Sequence, residues 1–182
     1  GMRTALVQFA SSLDPESNME TIRDMLAPLN SEDVDLVVLP EAAMCDFGKP
    51  SFDVVPVAQE LDGPFVQFLA SQAKPFNTLV VLNPEGILQG HYRKIHLFDS
   101  FGYRESDRFT PGELDVVVVT IADQPWGLAT CYDLRFPELA RALVDCGAQG
   151  LIAPAAWVAG PGESFHWEAL ITARAIGNVL PG

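Results

Sequence analysis

One cysteine of this chain stands where a strand gives way to a helix. Cys131 follows the apolar stretch Trp126–Thr130 and precedes a helical segment that begins at Pro137. A thiol at such a junction is held at the edge of the sheet, near helix N-terminal dipoles that favour the thiolate, so Cys131 is a candidate nucleophile. A lone cysteine is more often a small buried hydrophobic residue, and the assignment therefore depends on other residues.

Two further residues have the types that thiol chemistry requires. Glu41 ends the apolar run that begins after Asp35, and Lys94 lies in a mixed basic, aromatic and apolar segment. A thiol with a pKa of about 8.5 is only a few per cent ionised at neutral pH, so it needs a base. An attacked amide develops negative charge on its oxygen, which an ammonium group stabilises. Alone, Glu41 is typical of a solvated loop or a helix cap and Lys94 of a surface position, but strand ends can bring both to one crevice with Cys131.

Three segments that contain these residues resemble the signature segments of the nitrilase superfamily of carbon–nitrogen hydrolases, in the same order. They are Leu39–Glu41, Tyr92–Asp99 and Cys131–Arg141. Further similar segments run from Glu105 to Gly112, over Ala153–Trp157 to His166 and Trp167, and over Ala173–Ala175, so the resemblance covers nearly the whole chain. The second and third signature segments are most similar to the branch that includes omega-amidases and deaminated-glutathione amidases.

The resemblance implies a role for four residues. Cys131 would be the nucleophile, Glu41 the general base, Lys94 the cation that stabilises the oxyanion, and Glu105 the second glutamate, which orients Lys94 and the substrate. It also implies an α-β-β-α sandwich, no cofactor and a homodimer. The expected reaction is hydrolysis of a small linear amide through a thioester, with release of ammonia or an amine.

Three residues near Cys131 are expected to line the pocket. Tyr132 and Arg135 lie beside the nucleophile and Trp157 lies just beyond the next strand; the backbone N–H of Tyr132 is a candidate oxyanion donor. Arg135 is equally well explained as a structural ion-pair partner. Asp133 is explained as a cap of the helix that follows.

The remaining cysteines and histidines are given no catalytic role. Cys45 and Cys146 are expected to be packing residues, His96 a hydrogen-bonding residue at a strand end, and His166 a residue on a helix face. No HExxH motif or Cys/His cluster at metal-ligand spacing is present, so no metal is assigned.

The spacing of apolar residues predicts alternating strands and helices. The predicted strands are Thr4–Phe9, Val34–Leu39, Leu79–Leu82, Val116–Ile121, Trp126–Thr130 and Gly150–Ala153. Four helices are predicted. The first has Asp14 as N-cap, Pro15 at its first position and apolar residues from Met19 to Leu29. The second runs from Pro137 to a stop at Gly147, and its residues Leu139, Leu143 and Cys146 are expected to face inward. The third runs from Glu163 to about Ile176, and the fourth lies around Gly63–Ala73. This alternation is typical of an α/β fold, here a single domain over residues 1–182.

Composition limits the possible partners. The 182 residues are 48% hydrophobic and 19% charged, which is sufficient for a buried core. A net charge of −13 opposes binding to nucleic acid or to an anionic membrane surface, and no apolar stretch approaches the ~20 residues of a membrane span.

Three cysteines without a CxxC pair, and no leader at the amino end, favour the cytoplasm. Gly1 before Met2 resembles a residue left after tag removal.

The chain is shorter than the family in two places. A strand and loop are expected between the helix ending near Lys74 and the strand at Leu79–Leu82, and further strands are expected after Ala173–Ile176. Their loss would leave unpaired sheet edges, so we expect the whole molecule to contain segments that this sequence omits. An intact mass clearly above 19.8 kDa would support this expectation. The alternative function is a catalytically silent scaffold or binding protein of the same fold.

Overall fold

The computed structural model describes residues 2–29, 33–59, 77–100 and 102–180. In chain order, the elements in these ranges are β1 (Thr4–Leu6), α1 (Pro15–Leu26), β2 (Leu36–Val38), β3 (Thr78–Leu82), β4 (Leu88–Arg93), β5 (Asp99–Ser100), β6 (Tyr103–Arg104), β7 (Val118–Ile121), β8 (Gln124–Leu128), α2 (Pro137–Asp145), β9 (Gly150–Ile152) and α3 (Glu163–Asn178). Short 3-10 turns cover Val55–Val57, Glu105–Asp107 and Cys131–Arg135. The chain divides into two compact units, a first of residues 1–76 and 98–110 and a second of residues 77–97 and 111–182.

The first unit is built on the parallel pair of β1 and β2, in which Thr4 lies opposite Leu36. The connection between them contains α1, which begins at Pro15 after the N-cap Asp14, as the sequence predicts. The Asp14 carboxylate accepts a hydrogen bond from the backbone N–H of Glu16 at 3.1 Å, so it satisfies one of the otherwise unpaired N–H groups of the first turn.

A buried asparagine in α1 anchors the loop that follows β2. The Nδ2 atom of Asn18 donates to the carbonyl oxygens of Ser12 at 2.8 Å and Met44 at 2.9 Å. Asn18 is 2% exposed, and these bonds compensate its burial. The loop that they hold contains Glu41.

The second unit contains an antiparallel hairpin and a three-stranded sheet. In the hairpin, β3 pairs with β4 so that Thr78 lies opposite Arg93. In the sheet, β8 lies between the antiparallel β7 and the parallel β9. The core includes Leu128 of β8 and Leu143 of α2, both fully buried. The helix packs closely, since a Cβ atom at Gly127 would lie 3.0 Å from the Leu143 side chain.

Most predicted elements are confirmed, with shifted ends. The six predicted strands correspond to β1, β2, β3, β7, β8 and β9, and three predicted helices to α1, α2 and α3. The strands β4, β5 and β6 are not predicted. The predicted helix around Gly63–Ala73 lies outside the described residues.

The prediction that Cys146 packs inward is wrong. Cys146 is the C-cap of α2 and is exposed, whereas Leu139 and Leu143 of the same helix are buried. Gly147 follows with a φ of 97°, the left-handed conformation that ends many helices. The turn that stops the helix therefore carries Cys146 away from the buried face. Among the described residues, no helix has the length and apolar character to cross a membrane.

Candidate active site

The backbone at Cys131 has an unusual conformation. Its φ is 46°, in the left-handed region that residues with a Cβ atom rarely adopt, and its N–H donates to the Pro154 carbonyl oxygen at 2.9 Å. Cys131 is buried and is the first residue of the 3-10 turn Cys131–Arg135. The helix that follows, α2, begins at Pro137, as the sequence predicts. A strained backbone at a buried nucleophilic side chain is typical of functional sites.

Lys94 follows β4 directly and is 2% exposed. Its backbone is held on both sides, since its N–H donates to Asn77 and its carbonyl oxygen accepts from the N–H of Gly112, each at 2.9 Å. A Cβ atom at Gly112 would collide with the backbone carbonyl of Arg93, so only glycine fits there. Because Lys94 is buried, it is not the surface residue that its type alone suggests.

A single buried carboxylate connects the segments that carry Lys94 and Cys131. The Oδ2 atom of Asp133 accepts hydrogen bonds from the Tyr92 hydroxyl at 2.6 Å and from the N–H of Thr130 at 2.9 Å. Its Oδ1 atom accepts from the N–H of His96 at 3.1 Å and lies 2.8 Å from His96 Nδ1. The expectation that Asp133 caps α2 is therefore wrong: the N-cap of α2 is Phe136, and Asp133 bonds to residues before and around the nucleophile.

The groups around Asp133 are themselves buried or stacked. Tyr92 is 1% exposed, and burial together with the negative charge of Asp133 raises the pKa of its hydroxyl well above its ordinary value. The His96 ring stacks on Phe136 with 3.7 Å between ring centroids. The expectation that His96 is a hydrogen-bonding residue is confirmed.

The three predicted pocket residues lie together in the second unit. The Arg135 guanidinium lies over the rings of Tyr132 and Trp157, 5.7 and 5.4 Å from their centroids. Trp157 is oriented by its indole N–H, which lies 3.0 Å from a carboxylate oxygen of Glu163. Within residues 2–29, 33–59, 77–100 and 102–180, no carboxylate forms an ion pair with Arg135, so this part of the chain does not contain the structural ion pair considered above.

Both candidate glutamates belong to the first unit and both are buried. Glu41 is 7% exposed and lies three residues beyond the end of β2, immediately before Ala42, whose φ is 58°. Glu105 is 2% exposed and begins the 3-10 turn after β6. Its carboxylate accepts from the N–H of Phe98 at 2.6 Å, and its own N–H donates to the Phe98 carbonyl at 3.0 Å. The β5–β6 hairpin thus fixes Glu105.

The second unit brings together the segments that carry Lys94, Cys131 and the pocket residues, and the first unit holds the two glutamates. Sequence reasoning missed the roles of Tyr92 and Asp133. The sequence does contain a signal for the role of Asp133. An acid three residues after a threonine, here Thr130, can accept a hydrogen bond from the backbone N–H of that threonine. No group of residues suited to hold a metal ion occurs in the described part of the chain.

Comparison with known proteins identifies related chains. The family model described as carbon–nitrogen hydrolase matches residues 3–81 and 71–182. A hydrolase of Mycobacterium tuberculosis is 36% identical over 198 positions, covering 98% of this chain and 69% of its own length. The deaminated glutathione amidase of Escherichia coli O157:H7 is 36% identical over 193 positions, covering 96% and 73%. The crystal structure of a CN-hydrolase superfamily protein from Xanthomonas campestris superposes with a TM-score of 0.82 at 29% identity, covering 98% and 73%.

The same alignments bear on the expected shortening. Both alignments with relatives are longer than the 182 residues of this chain, so they include positions at which the relative has a residue and this chain has none. The two segments matched by the family model meet at residues 71–81, which include the Lys74–Asn77 stretch where the sequence predicts an omitted piece. The fold is that of the solved CN-hydrolases, as the resemblance implies.

Proposed function

The chain belongs to the carbon–nitrogen hydrolase family and is a hydrolase of the amidase type, and we propose that it cleaves a small linear amide through a thioester on Cys131. The observation that carries this proposal is the buried Cys131 with its left-handed backbone, on a segment that Asp133 ties to the Lys94 segment. A buried thiol on a backbone of fixed conformation, on a segment tied to one that carries a buried ammonium group, suits attack on a carbonyl carbon.

In the acylation step, the Glu41 carboxylate takes the proton of the Cys131 thiol. The sulfur forms a bond to the amide carbon, and the carbonyl oxygen becomes an oxyanion that the Lys94 ammonium and the N–H of Tyr132 stabilise. Glu41 then gives its proton to the amide nitrogen, the C–N bond breaks, and ammonia or an amine leaves. This role requires the Glu41 carboxylate to come within hydrogen-bonding reach of the sulfur.

In the deacylation step, water attacks the thioester carbon. Glu41 takes a proton from the water, the new oxyanion receives the same stabilisation, and the C–S bond breaks as the proton returns to sulfur. The products are a carboxylic acid and the regenerated thiol. Glu105, held by Phe98, orients Lys94 and the substrate in this proposal.

The substrate class is supported by Arg135 and by one relative. The Arg135 guanidinium rests on two aromatic rings and forms no ion pair with a carboxylate of the described residues, so its donors suit a carboxylate on the substrate. The related protein named deaminated glutathione amidase acts on an amide by its name. These two observations support a small linear amide that carries a carboxylate as the substrate class.

Selective thiol labelling tests the nucleophile. Cys146 is exposed and would compete for the reagent, so the experiment uses a Cys146→Ser background; burial raises the pKa of the Cys45 thiol and keeps that residue protonated. We expect iodoacetamide to label Cys131 first at neutral pH, and Glu41→Gln to slow this labelling at least about tenfold. Ammonia release from a panel of ω-amides and carbamoyl compounds measures the activity, with Cys131→Ala as the control.

The rival function, a catalytically silent scaffold, predicts a different result. Cys131 would then be labelled slowly, at a rate that Glu41→Gln does not change, and no compound of the panel would release ammonia. Activity that survives Cys131→Ala would contradict the nucleophile assignment.

Assembly and location complete the proposal. A homodimer is supported by the family resemblance and by apolar side chains exposed on α3, among them Phe165 and Ile176. A cytoplasmic location is supported by an odd number of cysteines, of which Cys45 and Cys146 are free thiols.

A further inference from the structure

The Asp133 carboxylate has its full hydrogen-bonding capacity in use. Four donors surround it, two on each oxygen: the Tyr92 hydroxyl and the Thr130 N–H on Oδ2, and the backbone N–H and the Nδ1 atom of His96 on Oδ1. The side chain of Asp133 has no exposed surface. The catalytic cycle proposed above assigns no step to this carboxylate, although it is among the most buried polar groups of the second unit.

On one side the carboxylate closes the turn that contains Cys131. The N–H of Thr130 donates to Asp133 Oδ2, and the N–H of Asp133 donates to the Thr130 carbonyl oxygen at 3.0 Å. Cys131 follows Thr130 inside this turn and has the left-handed backbone, a conformation that persists only where the surroundings enforce it. The two bonds with Thr130 and the bond from Cys131 to Pro154 are among the contacts that enforce it.

On the other side the carboxylate holds the segment that contains Lys94. Its partners Tyr92 and His96 lie two residues before and two residues after Lys94. Because both flanking residues are bonded to the same buried group, the backbone between them has little freedom. The position of the Lys94 backbone is therefore tied to the position of the Cys131 backbone through one side chain.

We propose that Asp133 is a positioning residue of the amidase, which keeps the oxyanion-stabilising Lys94 in register with the nucleophile Cys131 through its four hydrogen bonds. The inference rests on the proposed function of these two residues. A carboxylate is required because all four partners donate hydrogen bonds, and a carboxylate has two oxygens that both accept them. An amide in its place has one acceptor oxygen, and either orientation directs its NH2 group at a backbone N–H, that of Thr130 or that of His96.

The inference predicts which kinetic constant changes. Misplacement of Lys94 and Cys131 by a fraction of an ångström weakens stabilisation of the transition state and leaves Arg135 and Trp157 in place to bind substrate. Asp133→Asn should therefore lower kcat by about 100-fold while KM changes less than about threefold. The matched control is Asp35→Asn, which removes a carboxylate that also accepts from a backbone N–H, that of Arg3, and should leave kcat unchanged.

A second pair of variants separates the two sides of the carboxylate. Tyr92→Phe combined with His96→Ala removes both side-chain donors on the Lys94 side and leaves the bonds between Asp133 and Thr130 intact. This double variant should lower kcat while iodoacetamide still labels Cys131 at the wild-type rate, whereas Asp133→Asn should slow both. The double variant also serves if Asp133→Asn does not fold, as judged by near-UV circular dichroism.

The outcomes distinguish this inference from the proposed function. If the wild-type chain releases no ammonia from any amide and Cys131 is labelled slowly, the proposed function fails. If the wild-type chain is active but Asp133→Asn or the double variant keeps wild-type kcat, or raises KM as much as it lowers kcat, the positioning role of Asp133 is overturned. A loss confined to kcat, with slower labelling of Cys131 in Asp133→Asn alone, supports it.

Discussion

Replacing Tyr92 by phenylalanine tests the buried hydrogen bond between β4 and the Asp133 carboxylate. The hydroxyl donates to Asp133 Oδ2 at 2.6 Å, and Tyr92 is 1% exposed. Removal of one hydrogen bond to a charged group costs about 1.5–3 kcal/mol. At neutral pH, Tyr92→Phe should lower the free energy of unfolding by about this amount.

The same variant has a pH dependence whose sign follows from the pKa of Tyr92. Burial is the main cause that raises this pKa above its ordinary value of 10.0, followed by the charge of Asp133 and the hydrogen bond to it. Above about pH 10, the unfolded chain loses the phenol proton and the folded chain keeps it, so the free energy of unfolding falls as pH rises. The slope is about 1.4 kcal/mol per pH unit. Relative to about pH 8, the advantage of the wild-type chain over Tyr92→Phe should shrink by roughly 1.4 kcal/mol at about pH 11.

Urea unfolding followed by tryptophan fluorescence measures this difference. Contributions from groups that both chains contain cancel when the two free energies are subtracted. Ultraviolet absorbance of phenolate gives an independent measurement: at about pH 11, Tyr92 stays protonated in the folded wild-type chain and ionises on unfolding, so unfolding should add more phenolate in the wild-type chain than in Tyr92→Phe. A free-energy difference between the two chains that stays constant up to about pH 11, or an equal gain of phenolate absorbance on unfolding in both chains, would refute the reasoning.

Two further substitutions test the surroundings of Lys94 and the role of Arg135. Gly112→Ala places a Cβ atom against the Arg93 carbonyl and disturbs the bond from residue 112 to Lys94, so it should cost about 1–3 kcal/mol of stability and reduce kcat. The control Gly177→Ala, with nothing within 4 Å of the added atom, should leave kcat unchanged, and equal losses in both variants would contradict this view of Gly112. Arg135→Met should lower kcat/KM about 10- to 100-fold for an amide that carries a carboxylate and little for a neutral amide of equal length; equal losses for both substrates would exclude Arg135 as the carboxylate partner.

The elements predicted from the sequence are those whose signals are local. The start of α1 follows from Asp14 and Pro15 alone, since a side-chain acceptor and a preset φ act within one turn. The central strand β8 follows from its apolar run between turn residues. By contrast, one face of β4 has only Leu88 and Tyr92 as large apolar residues, with Gly90 between them, so its local signal is weak and its pairing with β3 decides that it is a strand.

The types and order of residues around Glu41, Lys94 and Cys131 were sufficient to predict an amidase-type carbon–nitrogen hydrolase, and the comparisons with known proteins confirm that class. This is possible because the three segments that contain these residues resemble the family's signature segments in the same order; the residue types alone leave each of the three with a structural explanation. The roles of Glu41, Lys94, Glu105 and Cys131 in the reaction stay predictions for the labelling and activity experiments.

The sequence by itself therefore determined the class of chemistry, through its resemblance to the family, and predicted the residues that perform it. Only the tertiary structure decided how those residues are held: Lys94 is buried, Cys146 is exposed at a helix end, and Asp133 accepts four hydrogen bonds. The physical reason is that burial and hydrogen bonding depend on segments far apart in the chain, such as those of Tyr92 and Asp133, whose residue numbers differ by 41. No local pattern reports which donors will meet one carboxylate once the chain has folded.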